Sequence, residues 1–432
     1  MADNNYQNNI NKKLLKQFAK SFESSQVLSN TVSKQLVNDF DASTGRDYGQ
    51  VSMKRPPQYT PQRTADGDLS SSEANPIQTG KVQASVSDYI TVYVENEQVE
   101  EALETDQLQQ LLDPVAEDMV VSLETELASY MTENAALQVG DPDTAITEWA
   151  DIAASGALLK EIGAPTGKRY GVISNFTQVN LAGQQATLAV NPEVGSAWKE
   201  AMVGRNFGGL SEILTTNNLP EYQSGLVNSG LTLSATPLAT YETYANTYRM
   251  TLVLTGAAAN QSPALRAGQV LEFPDTALTN LRNHKTLRRD GSDVPFTATV
   301  LADADSDAGG SITVEVSGAA IYDISGTNQV NSAFNTVNRA LTAGDTVNVL
   351  ESTAEAFYRP ALAYCEGFVG MGSVVLPKLH ALESMVMNHK NMSIRVHKFA
   401  DGVANKNRYR FDMLPTFATF NPFWGVKVGG TP

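Results

Sequence analysis

Residues 46–82, RDYGQVSMKRPPQYTPQRTADGDLSSSEANPIQTGKV, lead through residues 85–98, SVSDYITVYVENEQ, to residues 113–137, DPVAEDMVVSLETELASYMTENAAL. The first of these segments is polar, is interrupted by prolines and has almost no apolar side chains. It therefore buries too little apolar surface to offset the entropy lost on ordering. Because structured segments adjoin it, we expect it to be either disordered or ordered by lying on another molecule.

The second segment has the alternation of a β-strand, and the third has the period of an amphipathic helix. The predicted apolar face of the helix comprises Val115, Met119, Leu123, Leu127 and Tyr130 or Met131. The opposite, acidic face comprises Glu117, Asp118, Glu124 and Glu133. Asp113 and Pro114 are typical of a helix start, so the sequence predicts a separate, shorter helix over Thr105–Leu112.

With 432 residues, the chain is long enough for about three domains. Its one cysteine, Cys365, excludes an internal disulfide and every cysteine-based zinc pattern, which fits a reducing cytoplasm. The N-terminal residues MADNNYQNNINKKLLKQF lack the apolar core of a secretion signal. No run approaches the roughly 20 apolar residues that span a bilayer, so we expect no membrane partner.

The net charge of −16 is unevenly distributed. Residues 1–63 contain nine basic and five acidic residues, a net of +4, which leaves −20 for the rest of the chain. An acidic body repels the phosphates of nucleic acids. The charge balance therefore argues against a sequence-specific DNA-binding protein and is compatible with a protein that encloses DNA without gripping it.

Other regions have different patterns. From Ile10 the chain has the pattern of a basic amphipathic helix, which we expect to dock on protein rather than on a membrane. Residues 144–225 alternate between helix and strand, which indicates an α/β unit. Its predicted elements are the helix Ile146–Ile162, the strand Arg169–Ser174 and helical segments near Thr177–Leu181 and Ser196–Val203.

Between residues 231 and 350 short apolar segments alternate with clusters of Gly, Asp and Asn. This pattern predicts a small antiparallel barrel or sandwich. The predicted strands are YRMTLVLTG, GQVLEF, PFTATVLA, SITVEVSG and DTVNVLES. Near the C-terminus two more strands are expected, Met392–Phe399 and Asn407–Leu414, with a turn at Asp401-Gly402 between them.

Two motifs resemble ligand sites only superficially. GAPTGKRY (Gly163–Tyr170) has three residues between its glycines where a phosphate loop has four, and it carries Arg169 in place of the metal-binding hydroxyl, so we interpret it as a helix stop before a strand. DADSDAGGSITV (Asp303–Val314) begins with alternating carboxylates, but Ala308 and Val314 replace the Gly and Glu of a calcium loop. We interpret this segment as an acidic hairpin turn, with weak Ca²⁺ binding at Asp303–Asp307 left open.

The remaining reactive side chains form no recognisable constellation. The histidines, which are His284, His380, His389 and His397, lack metal-binding spacing. Cys365 lies in an apolar stretch and is expected to be buried and inert. The basic segment LRNHKTLRRD (Leu281–Asp290) is expected to be solvated or to meet acidic groups on a neighbour. We therefore predict no catalytic residue, no cofactor and no metal site.

Five further blocks complete an ordered series along the chain. They are ITEWADIAASGALLKEIG (Ile146–Gly163), TGAAANQSPALRAGQVLEF (Thr255–Phe273), FTATVLADADSDAGGSITVEVSG (Phe296–Gly318), GSVVLPKLH (Gly372–His380) and SIRVHKFADGVANKNRYRFDMLPTFATFNPFWG (Ser393–Gly425). In order and spacing the series resembles coat proteins of short-tailed enterobacterial phages of the Salmonella P22 group, especially the Shigella and Escherichia branches. The resemblance covers nearly the whole chain and implies the Hong Kong 97 coat fold.

The implied fold class is α+β. The resemblance divides the chain into an N-terminal arm (1–45), an extended loop (46–88), a peripheral domain with a spine helix (89–141), an axial domain in two parts (142–230 and 351–388), an inserted β-barrel-like domain (231–350) and the C-terminal strands of the peripheral domain (389–432). In such a fold the C-terminal strands join the strand ending near Glu95 in a sheet under the spine helix.

The function implied by the resemblance is that of a major capsid protein. Such a protein self-assembles as hexamers and pentamers into the icosahedral shell around double-stranded phage DNA. A scaffolding protein and a portal are implied partners, the host bacterial cytoplasm is the implied place of assembly, and no catalysis is implied. Two alternatives remain: a monomeric binding module that uses the β insert, and a nucleotide-using enzyme built on the α/β part.

Subunit contacts are expected at two places. The loop cations Lys54, Arg55 and Arg63 are expected to meet an acidic segment of a neighbouring subunit, namely Glu97, Glu100, Glu101 and Glu104, together with Glu95. Alternatively, both clusters only keep the chain solvated. The resemblance also implies an intersubunit loop near Thr240–Tyr248 in the insert, where the candidate contacts are Tyr241, Glu242 and Tyr244.

Overall fold

The computed structural model describes residues 18, 20–23, 25–37, 51–54, 59, 61, 63–70, 74, 81–86, 88–97, 108–187, 202–325, 327–377, 383–389, 392–401 and 406–431. The chain divides into two compact units. The first unit comprises Met1–Ser52, Gln83–Ala128 and Val369–Ala418. The second unit comprises Met53–Val82, Ser129–Phe368 and Thr419–Pro432. Both units therefore depend on contacts between segments that are far apart in the chain.

The strands, numbered along the chain, are β1 (Ser33–Val37), β2 (Val51–Lys54), β3 (Lys81–Val86), β4 (Ile90–Glu97), β5 (Leu137–Val139), β6 (Arg169–Ser174), β7 (Met202–Phe207), β8 (Leu210–Thr216), β9 (Tyr222–Gln223), β10 (Leu231–Leu233), β11 (Arg249–Thr255), β12 (Val270–Ala277), β13 (Arg288–Arg289), β14 (Ser292–Asp293), β15 (Pro295–Val300), β16 (Ile312–Ser317), β17 (Thr346–Val349), β18 (Phe357–Tyr358), β19 (Ala361–Cys365), β20 (Val369–Val374), β21 (Glu383–His389), β22 (Met392–Asp401), β23 (Lys406–Met413), β24 (Pro415–Thr419) and β25 (Gly425–Val428). The α-helices are α1 (Leu108–Asn134), α2 (Trp149–Glu161), α3 (Asn175–Thr187) and α4 (Tyr241–Tyr244). Two 3₁₀ helices cover Thr327–Phe334 and Pro422–Trp424.

The long helix α1 buries its predicted apolar face, since Val115, Met119, Leu123 and Leu127 are at most 7% exposed. Its predicted start at Asp113 is wrong. The helix begins at Leu108 and carries Pro114 in its interior, where the missing N–H removes one hydrogen bond of the helical ladder.

Asp113 does not cap this helix, because its Oδ1 has no hydrogen-bond partner among the described residues. Leu108–Leu112 form the first turns of α1 rather than a separate helix, and residues 105–107 lie outside the described part of the chain. An Asp-Pro pair inside a helix has the same sequence signature as one at a helix start when the residues before it also favour a helix.

In the first unit an antiparallel sheet of order β21-β22-β23-β4 confirms that the C-terminal strands join the strand ending near Glu95. Side chains alternate between its two faces. One face is apolar and contains the buried residues Phe411, Ile394 and Met413. The ring of Phe18, from the N-terminal segment, stacks on Phe411 with centroids 4.8 Å apart. The apolar face is thus covered partly by the start of the chain.

A second sheet, of order β1-β20-β24-β3-β2, ties the same N-terminal segment down by hydrogen bonds. Strand β1 pairs in parallel with β20, from Ser33 opposite Gly370 to Val37 opposite Val374. Of the amphipathic helix predicted from Ile10, the structure describes Phe18 and residues 20–23 as helical, and Phe18 and Phe22 are fully buried. The predicted docking of this segment on protein is confirmed for these residues.

A carboxylate on α1 binds the segment between the helical residues 20–23 and β1. Glu124 was predicted to lie on the exposed acidic face, but it is 1% exposed. Its Oε1 accepts hydrogen bonds from Val27 N (3.1 Å), Ser29 N (2.8 Å) and Ser29 Oγ (2.7 Å), and its Oε2 accepts one from Leu28 N (2.7 Å). A carboxylate is tolerated in a protein interior when several donors surround it in this way.

The second unit contains the predicted α/β part. Its sheet has the order β5-β25-β19-β6-β8-β7 and mixes parallel and antiparallel pairs. Helix α2 lies within the predicted range and ends before Gly163, whose φ of +83° is the left-handed conformation that glycine favours. Strand β6 has the predicted bounds. The helix predicted over Ser196–Val203 is wrong at its end, since β7 begins at Met202, and residues 196–201 lie outside the described part of the chain.

The β-rich insert forms a closed barrel of order β10-β11-β16-β15-β12-β17, which confirms the predicted barrel. Its strands bury alternate residues, as in β16, where Ile312, Val314 and Val316 are at most 1% exposed. Phe273 and Phe296 are directly opposite on β12 and β15, with ring centroids 5.4 Å apart. The barrel therefore has a packed interior of its own.

The barrel also supplies hydrogen bonds to the end of α1. The last carbonyl groups of a helix have no partner within the helix, and those of the buried residues just after it, here Ala135 and Ala136, need donors as well. Here Ser317 Oγ donates to Asn134 O (2.9 Å), Thr299 Oγ1 to Ala135 O (2.5 Å) and Thr297 Oγ1 to Ala136 O (2.7 Å). Strands β15 and β16 are thus fixed against the C-terminal end of α1.

We predict that Glu124→Gln destabilises the subunit by about 2–4 kcal/mol, because an amide NH₂ would face backbone donors that the carboxylate now accepts. The urea midpoint of unfolding, compared at equal slope, measures this loss. Glu117→Gln is the matched control, since Glu117 is exposed on the same helix, and its effect should stay within about 0.5 kcal/mol. Equal midpoints for the two variants would contradict the role assigned to Glu124.

Candidate subunit-contact surfaces

The extended segment between β2 and β3 leaves its described side chains open to solvent. Residues 63–70 are all exposed, including the apolar Leu69 at 54%. Two local turns shape it, in which Asp66 Oδ1 accepts from Asp68 N (3.1 Å) and Asp68 Oδ1 accepts from Ser70 N (2.8 Å). The hydrogen bond from Ser70 lowers the pKa of Asp68. Residues 66–70 are therefore shaped by their own turns.

The predicted loop cations lie in or beside this segment. Lys54 is the last residue of β2, and Arg63 is exposed, whereas Arg55 lies outside the described residues. Of the predicted acidic partners, Glu97 ends β4, and Glu100, Glu101 and Glu104 lie outside the described residues. The predicted contact between the two clusters joins different copies of the chain and stays a prediction.

Glu95 already has partners within its own chain. It accepts a hydrogen bond from Lys406 Nζ and another from Arg408 Nε at 2.9 Å. These bonds lower the pKa of Glu95, with that from Lys406 having the larger effect. Since Arg408 stands directly opposite Glu95 on β23, the sheet register itself creates the ion pair. Glu95 is thus already paired within its own chain.

The three candidate contacts in the barrel differ in how deeply their side chains are buried. Tyr241 and Tyr244 are 3% and 6% exposed, whereas Glu242, between them on α4, is exposed. The ring of Tyr241 stacks on Phe334 with centroids 3.7 Å apart, and Tyr244 Oη donates to Leu238 O (2.7 Å). The two tyrosines therefore pack inside their own chain, which leaves Glu242 as the member of the three with a side chain open to a neighbour.

The motifs that resemble ligand sites have structural roles. Gly163 lies at the end of α2, and Arg169 opens strand β6, as the helix-stop interpretation predicts. Asp307 Oδ1 accepts from Gly309 N and Ser311 N, both at 2.8 Å, and Asp303 Oδ1 accepts from Ala267 N at 2.9 Å. These carboxylates shape the predicted hairpin turn.

The reactive side chains also fail to converge on a site. Over the described ranges, no group of three or more His, Cys, Asp or Glu side chains is placed to hold a metal ion. Cys365 is buried, and burial raises the pKa of its thiol to about 11. His397 is buried within β22, where burial and then Arg395 and Arg410 lower its pKa, while Asp412 raises it. Among the helices that the structure describes, none is long and apolar enough to cross a membrane.

A buried charged cluster joins the barrel to the six-stranded sheet. Lys427 on β25 and Glu351 after β17 are both fully buried. Lys427 Nζ donates to Gly268 O (2.6 Å) and lies 5.5 Å from the ring centroid of Tyr222. Glu351 Oε1 accepts from Tyr222 Oη (2.8 Å), and both of its oxygens accept from Val270 N (3.1 Å). Burial lowers the pKa of Lys427 to about 8 and raises that of Glu351, and the attraction between the two charges opposes both shifts.

A second carboxylate extends this cluster. Asp143 accepts from Tyr358 Oη (2.5 Å) and from Ser352 N (2.8 Å). Burial opposes ionisation of Asp143, but the hydrogen bonds from Ser352 and Tyr358 outweigh it and lower its pKa. The rings of Tyr358 and Tyr222 stack with centroids 5.7 Å apart. Both carboxylates therefore fix the residues where the chain leaves the barrel.

A family model described as "P22 coat protein - gene protein 5" matches residues 1–430. This chain belongs to the P22 coat protein family. The coat protein is 40% identical over 431 residues to the "Major capsid protein" of Acyrthosiphon pisum secondary endosymbiont phage 1, a match that covers 99% of this chain and 100% of that protein. The family resemblance inferred from the sequence is thereby confirmed, and with it the role of phage major capsid protein.

Solved capsid structures are similar to the coat protein at low sequence identity. The capsid of Ralstonia phage GP4 matches with a TM-score of 0.45 and 8% identity, covering 92% of this chain and 87% of that one. The capsid structure of the Cyanophage P-SCSP1u matches with a TM-score of 0.41 and 10% identity, covering 94% of this chain and 88% of that one. Because these similarities are weak, the family assignment depends on the sequence matches.

Three groups of residues that hold the coat protein together were missed at the level of sequence. Glu124 follows the helical period of an exposed residue, Lys427 lies in a short strand with no acidic neighbour in sequence, and Thr297 alternates as a solvent-facing strand residue would. Each is buried by a segment that is distant along the chain. The periodicity of a helix or strand predicts which of its faces is apolar. It does not predict a partner that lies far away along the chain.

Proposed function

We propose that this coat protein assembles with copies of itself, as hexamers and pentamers, into the closed icosahedral shell of a phage head. The observation that carries this proposal is the family match over the whole chain, together with the full-length relative named as a major capsid protein. The exposed extended segment supports it, because a polar stretch with no core of its own gains order when it lies across a neighbour.

The partners beyond the chain itself follow from this function. In the proposal a scaffolding protein guides assembly in the host cytoplasm, a portal occupies one vertex, and the mature virion encloses double-stranded DNA. The net charge of −16 supports an enclosing role without sequence-specific binding, since an acidic wall does not hold phosphates tightly. The proposal assigns the protein no catalytic reaction and no cofactor.

We also propose that the loop cations Lys54, Arg55 and Arg63 meet Glu97, Glu100, Glu101 and Glu104 of a neighbouring copy, with Glu242 as a separate contact on the barrel. Glu95 is excluded as a main partner because Lys406 and Arg408 already neutralise it. An exposed ion pair is worth only about 0–1 kcal/mol. Repeated at each subunit contact, such pairs still decide whether a weak association closes a shell.

The shell itself is tested by expressing the coat protein together with a scaffolding protein and examining the product by sedimentation and electron microscopy. We expect closed shells of uniform diameter. A protein that sediments only as a monomer or small oligomer under all conditions would contradict the proposed function.

The charged contact is tested by reversing both sides of it. We expect Lys54→Glu plus Arg55→Glu to lower the yield of shells, most strongly at low salt where screening is weakest. Adding Glu100→Lys plus Glu101→Lys should restore the yield, because opposite charges then face each other again. The matched control, Lys160→Glu plus Lys168→Glu, reverses two exposed cations to which no contact between copies is assigned and should assemble normally. Indifference of assembly to the first pair at low salt would overturn the contact.

A further inference from the structure

Helix α3 exposes two large apolar side chains. Phe176 is 73% exposed and Val179 is 68% exposed. Residues three apart lie on the same side of a helix, so the two form one patch, which we call the α3 patch. Single exposed apolar residues are ordinary on protein surfaces. Here two adjacent side chains share one face and are more exposed than any other large apolar residue in the described part of the chain.

The sequence fixes this orientation of α3. Ser174 Oγ accepts a hydrogen bond from Thr177 N (3.1 Å), which caps the first turn. Ile173, immediately before the helix, and Leu181, on its inner side, are at most 1% exposed and belong to the core of the second unit. With Leu181 buried, a helical period places Phe176 and Val179 on the outer side. The patch is therefore presented by a fixed helix that is anchored to the end of β6.

The stretch of sequence that contains the patch lacks charge. No Asp, Glu, Lys or Arg occurs between Tyr170 and Pro192, in a chain where 18% of residues are charged. Copies with a net charge of −16 repel one another wherever their acidic surfaces meet. An uncharged apolar face is a place where two such copies approach without that repulsion and remove apolar surface from water.

We propose that the α3 patch, formed by Phe176 and Val179, is a contact surface for a second copy of this coat protein in the shell. The inference rests on the proposed shell function and adds a specific contact to it. Neither side chain pairs charges, so screening by salt does not weaken the contact, in contrast to the contact of the loop cations.

The direct test uses Val179→Cys and the rate at which a small maleimide labels it. The native Cys365 is buried, which keeps the background labelling low. We expect the thiol at position 179 to react at least about tenfold more slowly in assembled shells than in subunits dissociated from the same shells, because burial excludes the reagent. Equal rates in shells and subunits would overturn the proposal while leaving the shell function intact, since the shells themselves are the sample.

A second test measures assembly. Phe176→Glu should form shells at least about tenfold less efficiently than the natural protein, at low and high salt alike, because a carboxylate in an apolar contact must be desolvated. The matched control is Phe357→Glu, since Phe357 is also exposed, at 55%, and lies outside the patch on β18. The control should form shells normally. Normal assembly of Phe176→Glu would overturn the proposal, and if that variant does not fold, the labelling rates decide the question.

Discussion

The chain leaves α1 inside the protein, where the carbonyl groups of the last helical residue, Asn134, and of the next two residues need donors. The barrel supplies them through Ser317, Thr299 and Thr297, whose hydroxyls bond to three consecutive carbonyls. An unpaired buried carbonyl costs about 1–3 kcal/mol, so these three bonds decide where the barrel sits against the helix end. Within the first unit, the carboxylate of Glu124 on α1 binds the N-terminal segment.

The second attachment of the barrel is electrostatic. Lys427 and Glu351 are buried without direct contact to water, and each is satisfied mainly by backbone groups and by Tyr222. A buried charge that loses its partners strongly destabilises the fold. The geometry in which every partner is present is therefore more stable than its alternatives. The cluster lies where the chain leaves the barrel, so it favours a single orientation of the insert on the six-stranded sheet. A shell built from many copies requires such a reproducible subunit shape.

Much of this fold could be predicted from local sequence. The apolar stripe of α1, the bounds of β6 and five of the six barrel strands follow from periodicity and turn residues, because these elements are stabilised by their own pattern, whereas the short strand β10 was not predicted. The start of α1 could not be predicted, since Asp113-Pro114 looks the same at a helix start and in an interior. The burial of Glu124, Tyr241 and Tyr244 could not be predicted either. The partners Leu28 of Glu124 and Phe334 of Tyr241 are brought near by tertiary structure, which outweighs local pattern.

The family and its function could be predicted from the sequence for another reason. Many sequence blocks, each only moderately informative, occur along the whole chain in the order found in the family. Their order identifies the family although no single motif is diagnostic. Individual subunit contacts carry no comparable signal, because an exposed charge or apolar residue has the same sequence whether water or a neighbour covers it.

In the proposed shell, each copy completes its own cores and its extended segment is ordered by a neighbour. Amide hydrogen exchange, followed by mass spectrometry in subunits and in shells, distinguishes this from a segment ordered within one copy. We expect fast exchange over residues 55–80, between β2 and β3, in subunits and at least about tenfold slower exchange in shells, while the amides of Val27, Leu28 and Ser29, bound to Glu124, stay protected in both. Protection of residues 55–80 in the isolated subunit, or equal exchange in both states, would contradict the ordering by a neighbour.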